Sequence, residues 1–487
     1  MEDTMYKEQA ECDNLAELFS QINEHLEEFQ RFEHVDAMVN VDSWKAALSG
    51  PAPVQGIGAK QVIAEMGEHL IPNGSQISNP GCTSYITSAA TDIGSIATLA
   101  GIIASPQRIG MTAFNHLEGL SLQWLSEMFD LPKGMQGIYS SGGSTANLIG
   151  LGAARQSAFK RLGMDPAKNG LQRACKIYAT KQAHHTVHRS AAVLGMGWDS
   201  VVHIAVDNEM RMCPEALKKQ LLEDKKKDAV PVAIVANAGT TNTGSIDPLQ
   251  EMGEIAREHN IWFHVDGAYG LPGTLDPKTH DLYKGIALAN SVTVDAHKWL
   301  GAPVGIGATF VHDVDALEQT FTQGKADYIE ATIVDDDLIE NSMDGLGFPY
   351  QNLGVELSAP TRGAIVWALI REIGVEGLKS RICRHNAMAR RVAKLAKQHP
   401  HLELVLEPTL SICCFRYINK RSNDLNELNK RIHRQLIKNG VNIPSTTLVG
   451  DKLVIRPCFL GARTNWHHAD DLVEEVIEIG DILIAAS

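Results

Sequence analysis

A lysine that follows a run of small and β-branched residues is a candidate for chemistry. Lys298 stands in that position in Ser291-Val-Thr-Val-Asp-Ala-His-Lys-Trp-Leu300, between His297 and Trp299. Lysine is almost never fully buried without a partner. Partial desolvation frees an amine to form a Schiff base with a carbonyl cofactor; a surface lysine at a strand end is the plainer alternative. Asp266 closes a second apolar run, Ile261-Trp-Phe-His-Val-Asp-Gly-Ala-Tyr269. A carboxylate at such a place needs a cationic or N–H partner. A pyridinium nitrogen would serve, because the carboxylate keeps the ring protonated and able to take up electrons; a helix N-cap is the other reading. Gly267 and Ala268 leave room for a flat ring.

Three further stretches carry polar groups. Tyr139-Ser-Ser-Gly-Gly-Ser-Thr-Ala-Asn147 leads into a helical window. Free N–H groups at a helix start suit a phosphate, and Gly142 and Gly143 let it approach. The spacing is not that of a Walker loop and no lysine follows, so an ordinary Gly/Ser turn stays open. Gln182-Ala-His-His-Thr-Val-His188 holds three histidines. Only His184 and His188 are four apart and no HExxH pattern is present, so no metal is expected. An imidazole stacked on a cofactor ring and an ordinary half-exposed histidine are the remaining readings. Asn237-Ala-Gly-Thr-Thr-Asn-Thr-Gly-Ser-Ile-Asp247 is a polar loop directly after an apolar run, either a ligand loop or a surface turn.

The elements that must position these residues follow from periodicity. Short β-branched runs at 137–139, 176–179, 201–205, 232–236, 261–265, 291–294 and 308–311 alternate with helical windows at 144–161, 214–224 and 249–259. That alternation predicts an open, mostly parallel α/β sheet, whose ligands bind at the carboxyl ends of strands. Residues 90–130 read as buried helix and residues 1–50 as polar, acidic helix ending at Gly50-Pro51-Ala52-Pro53. From about 370 the order helix, strand, helix, strand, helix predicts a small α+β domain, with strands at 402–406, 411–416 and 453–456 and a helix ending at Asn439-Gly440. The expected divisions are therefore 1–80, 81–369 and 370–487. Residues 320–350 read as a polar, acidic loop.

Composition bounds the partners. The chain has 487 residues, 44% hydrophobic and 21% charged, with a net charge of −14. Such an acidic surface repels phosphate backbones and anionic headgroups, so neither nucleic acid nor a membrane is expected as partner. The apolar stretch Ile96 to Ala104 is far short of the ~20 residues of a membrane span, and the Glu-rich start predicts no secretory leader. Eight scattered cysteines point to reduced thiols in the cytoplasm.

Taken in order, these stretches resemble the pyridoxal-phosphate-dependent amino-acid decarboxylases of the aromatic-L-amino-acid, glutamate and histidine decarboxylase group. The resemblance runs from about residue 75 to the C-terminus. It implies an aspartate-aminotransferase-like fold of type I, with a mostly parallel seven-stranded sheet and a small C-terminal α+β domain. The cofactor it implies is pyridoxal 5'-phosphate, with Lys298 forming the internal aldimine and Asp266 pairing with the pyridine nitrogen. His184 would stack on one face of the ring and Ala268 on the other. Gly143, Ser144, Asp295 and His297 would hold the phosphate, and Thr241 would sit near the substrate carboxylate or the cofactor rim. Tyr350 corresponds to a mobile-loop tyrosine, since Tyr350 to Arg362 keeps the family's spacing, and either Tyr350 or His184 would protonate Cα. Tyr85 and Ile86 correspond to pocket residues near the interface of a homodimer. The reaction implied is decarboxylation of an L-amino acid, an aromatic one first, through a quinonoid. Aspartate, glutamate or cysteine sulfinate decarboxylation, aminotransfer and aldehyde synthesis are the alternatives. Arg456 is read as structural, with a substrate-carboxylate clamp as the other reading. Asp295-Ala296 and Ile86 depart from the aromatic-type pattern, which puts the substrate rather than the cofactor chemistry in question.

Overall fold

The computed structural model describes residues 14–33, 37–39, 41–108, 110, 112–321 and 348–486. The expected acidic loop at 320–350 falls mostly outside them. The chain divides into two compact units, Met1–Cys82 and Thr83–Ser487. In the first unit, helices α1 (Leu15–Phe29), α2 (Val41–Leu48) and α3 (Ala59–Glu65) bury no residue completely. Asn14 caps α1 by accepting the Ala16 N–H at 3.1 Å.

The second unit is built on seven strands: β1 (Gln136–Ser140), β2 (Cys175–Thr180), β3 (Val201–Ile204), β4 (Val230–Asn237), β5 (Trp262–Asp266), β6 (Ser291–Asp295) and β7 (Gly307–Val311), in the order β1-β7-β6-β5-β4-β2-β3. Pairing is parallel from β6 through β3, and β7 runs antiparallel to both its neighbours. Val230–Asn237 and Trp262–Asp266 are buried nearly throughout, as strands covered on both faces must be. The strands fall where the apolar runs place them.

The predicted buried helix at 90–130 is two helices, α4 (Asp92–Ala104) and α5 (Ala113–Met128), each capped by a threonine, Thr91 and Thr112. Those caps interrupt an apolar pattern that reads as continuous. After α6 (Gly143–Lys160), α7 (Thr186–Val193), α8 (Pro214–Lys225), α9 (Leu249–Glu258) and α10 (Val314–Phe321), α11 (Gly363–Gln398) spans the expected boundary at 370 as two helical segments that meet at a kink. Its one break is Gly374, with φ 68°, a left-handed conformation that glycine adopts readily.

Beyond α11, β8 (Leu402–Leu406), β9 (Cys414–Tyr417), β10 (Ile443–Val449) and β11 (Lys452–Arg456) form an antiparallel array in the order β10-β11-β9-β8. They pack with α12 (Leu425–Asn439) and α13 (Trp466–Ala485) around a second apolar cluster that includes Phe415, Tyr417, Phe459 and Val476. Gly440, at φ 74°, ends α12. Among the described residues no helix is long and apolar enough to cross a membrane.

Candidate active site

The period of two along a strand brings Trp262, His264 and Asp266 to one face of β5. Asp266 ends that strand at the carboxyl edge of the sheet, where it lines a cavity of about 300 Å³. Its carboxylate is held by neutral donors alone. Oδ2 accepts from Asn147 Nδ2 at 3.0 Å, and Oδ1 accepts from Ala268 N–H at 3.2 Å and Thr293 Oγ1 at 3.3 Å. No described cation forms an ion pair with it, so the buried charge has capacity for a cationic ligand group.

Strand β6 ends at Asp295, and the chain turns tightly so that Lys298 N–H donates to Asp295 O at 3.1 Å. The turn returns Lys298 Nζ to 3.0 Å from Asp295 Oδ2. Asp295 is buried, and neither oxygen accepts a hydrogen bond of good geometry; His297 Nε2 stands 3.8 Å away. Against this carboxylate lies the glycine turn between β1 and α6. Gly142 has φ 127°, and a Cβ on Gly143 would lie 2.6 Å from Asp295 Oδ2 and 3.3 Å from the Ala268 methyl. The start of the 18-residue α6 therefore lies open to the cavity, and its unpaired N–H groups form an anion site.

His184 and Thr241 complete the wall from the loops after β2 and β4. His184 Nδ1 is 3.0 Å from Thr186 Oγ1. Burial holds its imidazole below the ordinary histidine range, with Asp266 pulling the other way.

Residues 47–418, more than half of the chain, match the pyridoxal-dependent decarboxylase conserved domain. The chain belongs to the pyridoxal-dependent decarboxylase family. It is a carboxy-lyase of amino acids and its cofactor is pyridoxal 5'-phosphate. Among its relatives is the aromatic-L-amino-acid decarboxylase of Bacillus atrophaeus, 28% identical over 454 residues that cover 91% of this chain and 89% of that protein. The L-2,4-diaminobutyrate decarboxylase of Rhizobium meliloti is 28% identical over 438 residues, 88% of this chain and 82% of that one. The 4-hydroxyphenylacetaldehyde synthase of Rhodiola rosea is 25% identical over 460 residues, 90% and 88%. In fold, a crystal structure of Oryza sativa TDC with PLP and tryptamine superposes with a TM-score of 0.87 at 21% identity, covering 98% of this chain and 100% of that one.

The decarboxylase cavity fits its cofactor. A carboxylate without a cation at one wall, an amine and an open helix start are the groups that a pyridine nitrogen, an aldehyde and a phosphate require. The glycine turn leaves the space a Cβ would fill.

The cavity of this decarboxylase also gathers residues to which sequence reasoning gave no role, Asn147, Thr186 and Asn237 among them. Asn147 lies one helical turn beyond Gly143, so the (i, i+4) relation carries the signal that finds it. Arg456 proves structural. Its guanidinium donates to the carbonyls of Asn242 at 3.1 Å, Ser84 at 3.0 Å and Thr241, and to Ser445 Oγ at 3.2 Å. It ties the loop carrying Thr241 to β10 and β11, and four of its five N–H groups are taken.

Three expected site residues lie elsewhere in this chain. Tyr350 does not line the cavity. It is buried in a short 3-10 turn against Phe348 and beside α5, with its hydroxyl near Gly119, and burial with Glu118 nearby pushes its phenol up. Within a single chain the turn packs its ring under α5, away from the cavity. Tyr85 is 63% exposed and Ile86 is partly buried against the main core. Neither lines the cavity within a single chain.

Proposed function

We propose that this chain decarboxylates an aromatic L-amino acid to its amine. The observation that supports this most is that one cavity brings together the amine of Lys298, the carboxylate of Asp266 and the start of α6. When bound, pyridoxal 5'-phosphate supplies a protonated ring that takes up the electron pair of a bond broken at substrate Cα. In this reading Lys298 binds the cofactor's carbonyl carbon and Asp266 holds the ring nitrogen charged. His184 and Ala268 pack on its two faces, and Gly143, Ser144, Asp295 and His297 surround the phosphate. Thr241 stands at the rim. The Cα–carboxylate bond breaks, carbon dioxide leaves, and a proton takes its place on Cα.

No arginine is among the described residues lining the cavity. An α-carboxylate that must lose its charge is thereby kept out of a strong ion pair, which favours decarboxylation over aminotransfer. The same lack leaves the side-chain carboxylate of aspartate, glutamate or cysteine sulfinate without a guanidinium partner, which favours an aromatic side chain. The relative from Bacillus atrophaeus carries the matching name.

Product analysis across the twenty amino acids with added cofactor tests this reading. We expect amine and carbon dioxide in equal amounts from tyrosine, tryptophan or phenylalanine. Oxo-acid with the aminated cofactor would replace it with aminotransfer. Aldehyde, ammonia and hydrogen peroxide, formed with consumption of dioxygen and water, would replace it with aldehyde synthesis. Release confined to acidic substrates would overturn the aromatic assignment.

We also infer a homodimer in the cytoplasm. Ile96, Ile102 and Ile103 are exposed along α4, and Val304 is exposed on a turn whose Pro303 packs against Gly94 at the start of that helix. Exposed apolar area of this kind marks an interface. By the family resemblance, a second copy would bring the exposed Tyr85 near the partner's cavity. The seven described cysteines are free thiols, which accords with a reducing compartment. Sedimentation should give twice the chain mass, and Ile102→Asp with Ile103→Asp should give a monomer with little activity. A monomeric, fully active wild type would overturn the dimer.

A further inference from the structure

Helix α6 covers a row of buried polar residues that the proposed chemistry does not use directly. On β5 these are Trp262 and His264, and the β5–β6 register sets Ser291 beside His264 and Thr293 beside Asp266. Asn147 of α6 and Thr186 of α7 close the row, and all six are buried.

The hydrogens in this row have one consistent order, fixed from the end that can only accept. The Asp266 carboxylate takes hydrogens and gives none, so the end of Asn147 that faces its Oδ2 at 3.0 Å is the amide nitrogen, which also donates to Thr186 Oγ1 at 3.2 Å. The amide oxygen then faces His264 Nε2 at 2.8 Å, so the proton of a neutral ring sits on that nitrogen. His264 Nδ1 is left to accept, and Ser291 sends it its hydroxyl hydrogen at 2.7 Å while accepting the Trp262 indole N–H at 2.7 Å. Burial holds the His264 imidazole below the ordinary histidine range, with Asp266 pulling the other way. Thr186, accepting there, passes its hydroxyl hydrogen to His184 Nδ1 at 3.0 Å. The Thr186 backbone N–H points at the same nitrogen, at 3.4 Å. Rotating the Asn147 amide by half a turn would set its oxygen against the Asp266 carboxylate and its nitrogen against the His264 N–H. Gly150 preserves the arrangement, since a Cβ there would stand 2.8 Å from His264 Cε1.

We propose that Asn147 is a positioning residue that ties the orientation of the Asp266 carboxylate to the tautomer of His184, in a sense set by a carboxylate that can only accept. The proposal rests on the assignment of Asp266 and His184 to the two sides of cofactor binding. Its consequence is specific. With Nδ1 closed by Thr186, His184 meets the cavity as a neutral ring with its proton on Nε2, a donor and not a base.

Thr186→Val removes one hydroxyl at nearly constant shape, and Asn147→Leu removes the branch point. The readouts are long-range proton–nitrogen spectra of holoenzyme carrying nitrogen-15 histidine, together with kcat and KM measured separately. In wild type, His184 and His264 should both show a bare Nδ1 and a protonated Nε2. In Thr186→Val, His184 should gain the other tautomer while His264 stays unchanged, and kcat should fall about tenfold with KM within about threefold. In Asn147→Leu, both histidines should change and kcat should fall roughly 10- to 100-fold with cofactor still bound. Unchanged His184 signals with unchanged kcat in a folded Thr186→Val protein would overturn the proposal. So would a wild-type His184 protonated on Nδ1. If Asn147→Leu does not fold, Thr186→Val decides alone. A wild type that takes up no pyridoxal phosphate would sink the parent assignment instead, and the histidine tautomers of that same sample would still decide the relay.

Discussion

Alanine at position 298 is expected to cut carbon dioxide release by roughly 10³-fold or more and to remove the visible colour of the loaded protein that borohydride bleaches. Lys298 is the only lysine among the described residues lining the cavity, so in the proposed chemistry no described neighbour offers a second amine to the cofactor. A second effect separates chemistry from packing. Lys298 Nζ, 3.0 Å from Oδ2, is the nearest cation to Asp295, a carboxylate only 1% exposed. Truncating the lysine leaves that charge with His297 at 3.8 Å. Removing one partner of a buried pair costs about 3–5 kcal/mol, and the partly open Lys298 places this site at or below the lower end. The urea midpoint of cofactor-free Lys298→Ala should therefore fall. Adding Asp295→Asn should restore it without restoring activity. A Lys298→Ala protein that still forms a borohydride-sensitive coloured adduct would place the reactive amine elsewhere.

The sequence was most legible where one local pattern decided the outcome. Seven β-branched runs became the seven strands of the main sheet, and Asp266, Asp295 and the Gly142–Gly143 turn lie at strand ends because an apolar run stops there. Legibility failed where tertiary pairing decides. Ile443–Val449 went unread as a strand, since its proline and paired threonines look like turn residues until β11 supplies their ladder. Gly374 kinks α11 with a φ of 68°, and the helical pattern around it does not show where the chain turns. His264 and Asn147 both lie in stretches singled out for other residues. Their roles depend on which face of α6 meets β5 and on which end of the Asn147 amide faces a carboxylate, and periodicity contains neither. Tyr350 shows the converse limit. Spacing to Arg362 singles it out along the chain, yet spacing carries no information about the side of α5 on which its ring packs. Arg456 was weighed between two readings because its type suits both, and only the carbonyls around it separate them.

Asparagine at position 266 is the sharper test of the proposed chemistry, because it keeps shape and removes only charge. A carboxylate about 4 Å from a ring cation contributes on the order of 4 kcal/mol at an effective dielectric of 20, or roughly 10³-fold in rate if all of it acts in the bond-breaking step. We expect Asp266→Asn at saturating cofactor to lose carbon dioxide release on that scale. The surroundings sharpen the expectation. One side-chain oxygen faces the backbone N–H of Ala268 at 3.2 Å, which cannot reverse. The other faces the amide nitrogen of Asn147 at 3.0 Å, which reverses only by turning its own oxygen away from His264. Whichever way the new amide settles, one donor meets another, at a cost of about 1–3 kcal/mol of folding stability. Urea unfolding of the cofactor-free protein reads that cost apart from the chemistry. Adding Asn147→Asp, which offers an acceptor to the new amide, should recover part of the stability and none of the rate. If Asp266→Asn stays within about threefold of wild type once saturated with cofactor, the ring nitrogen is not held by this carboxylate.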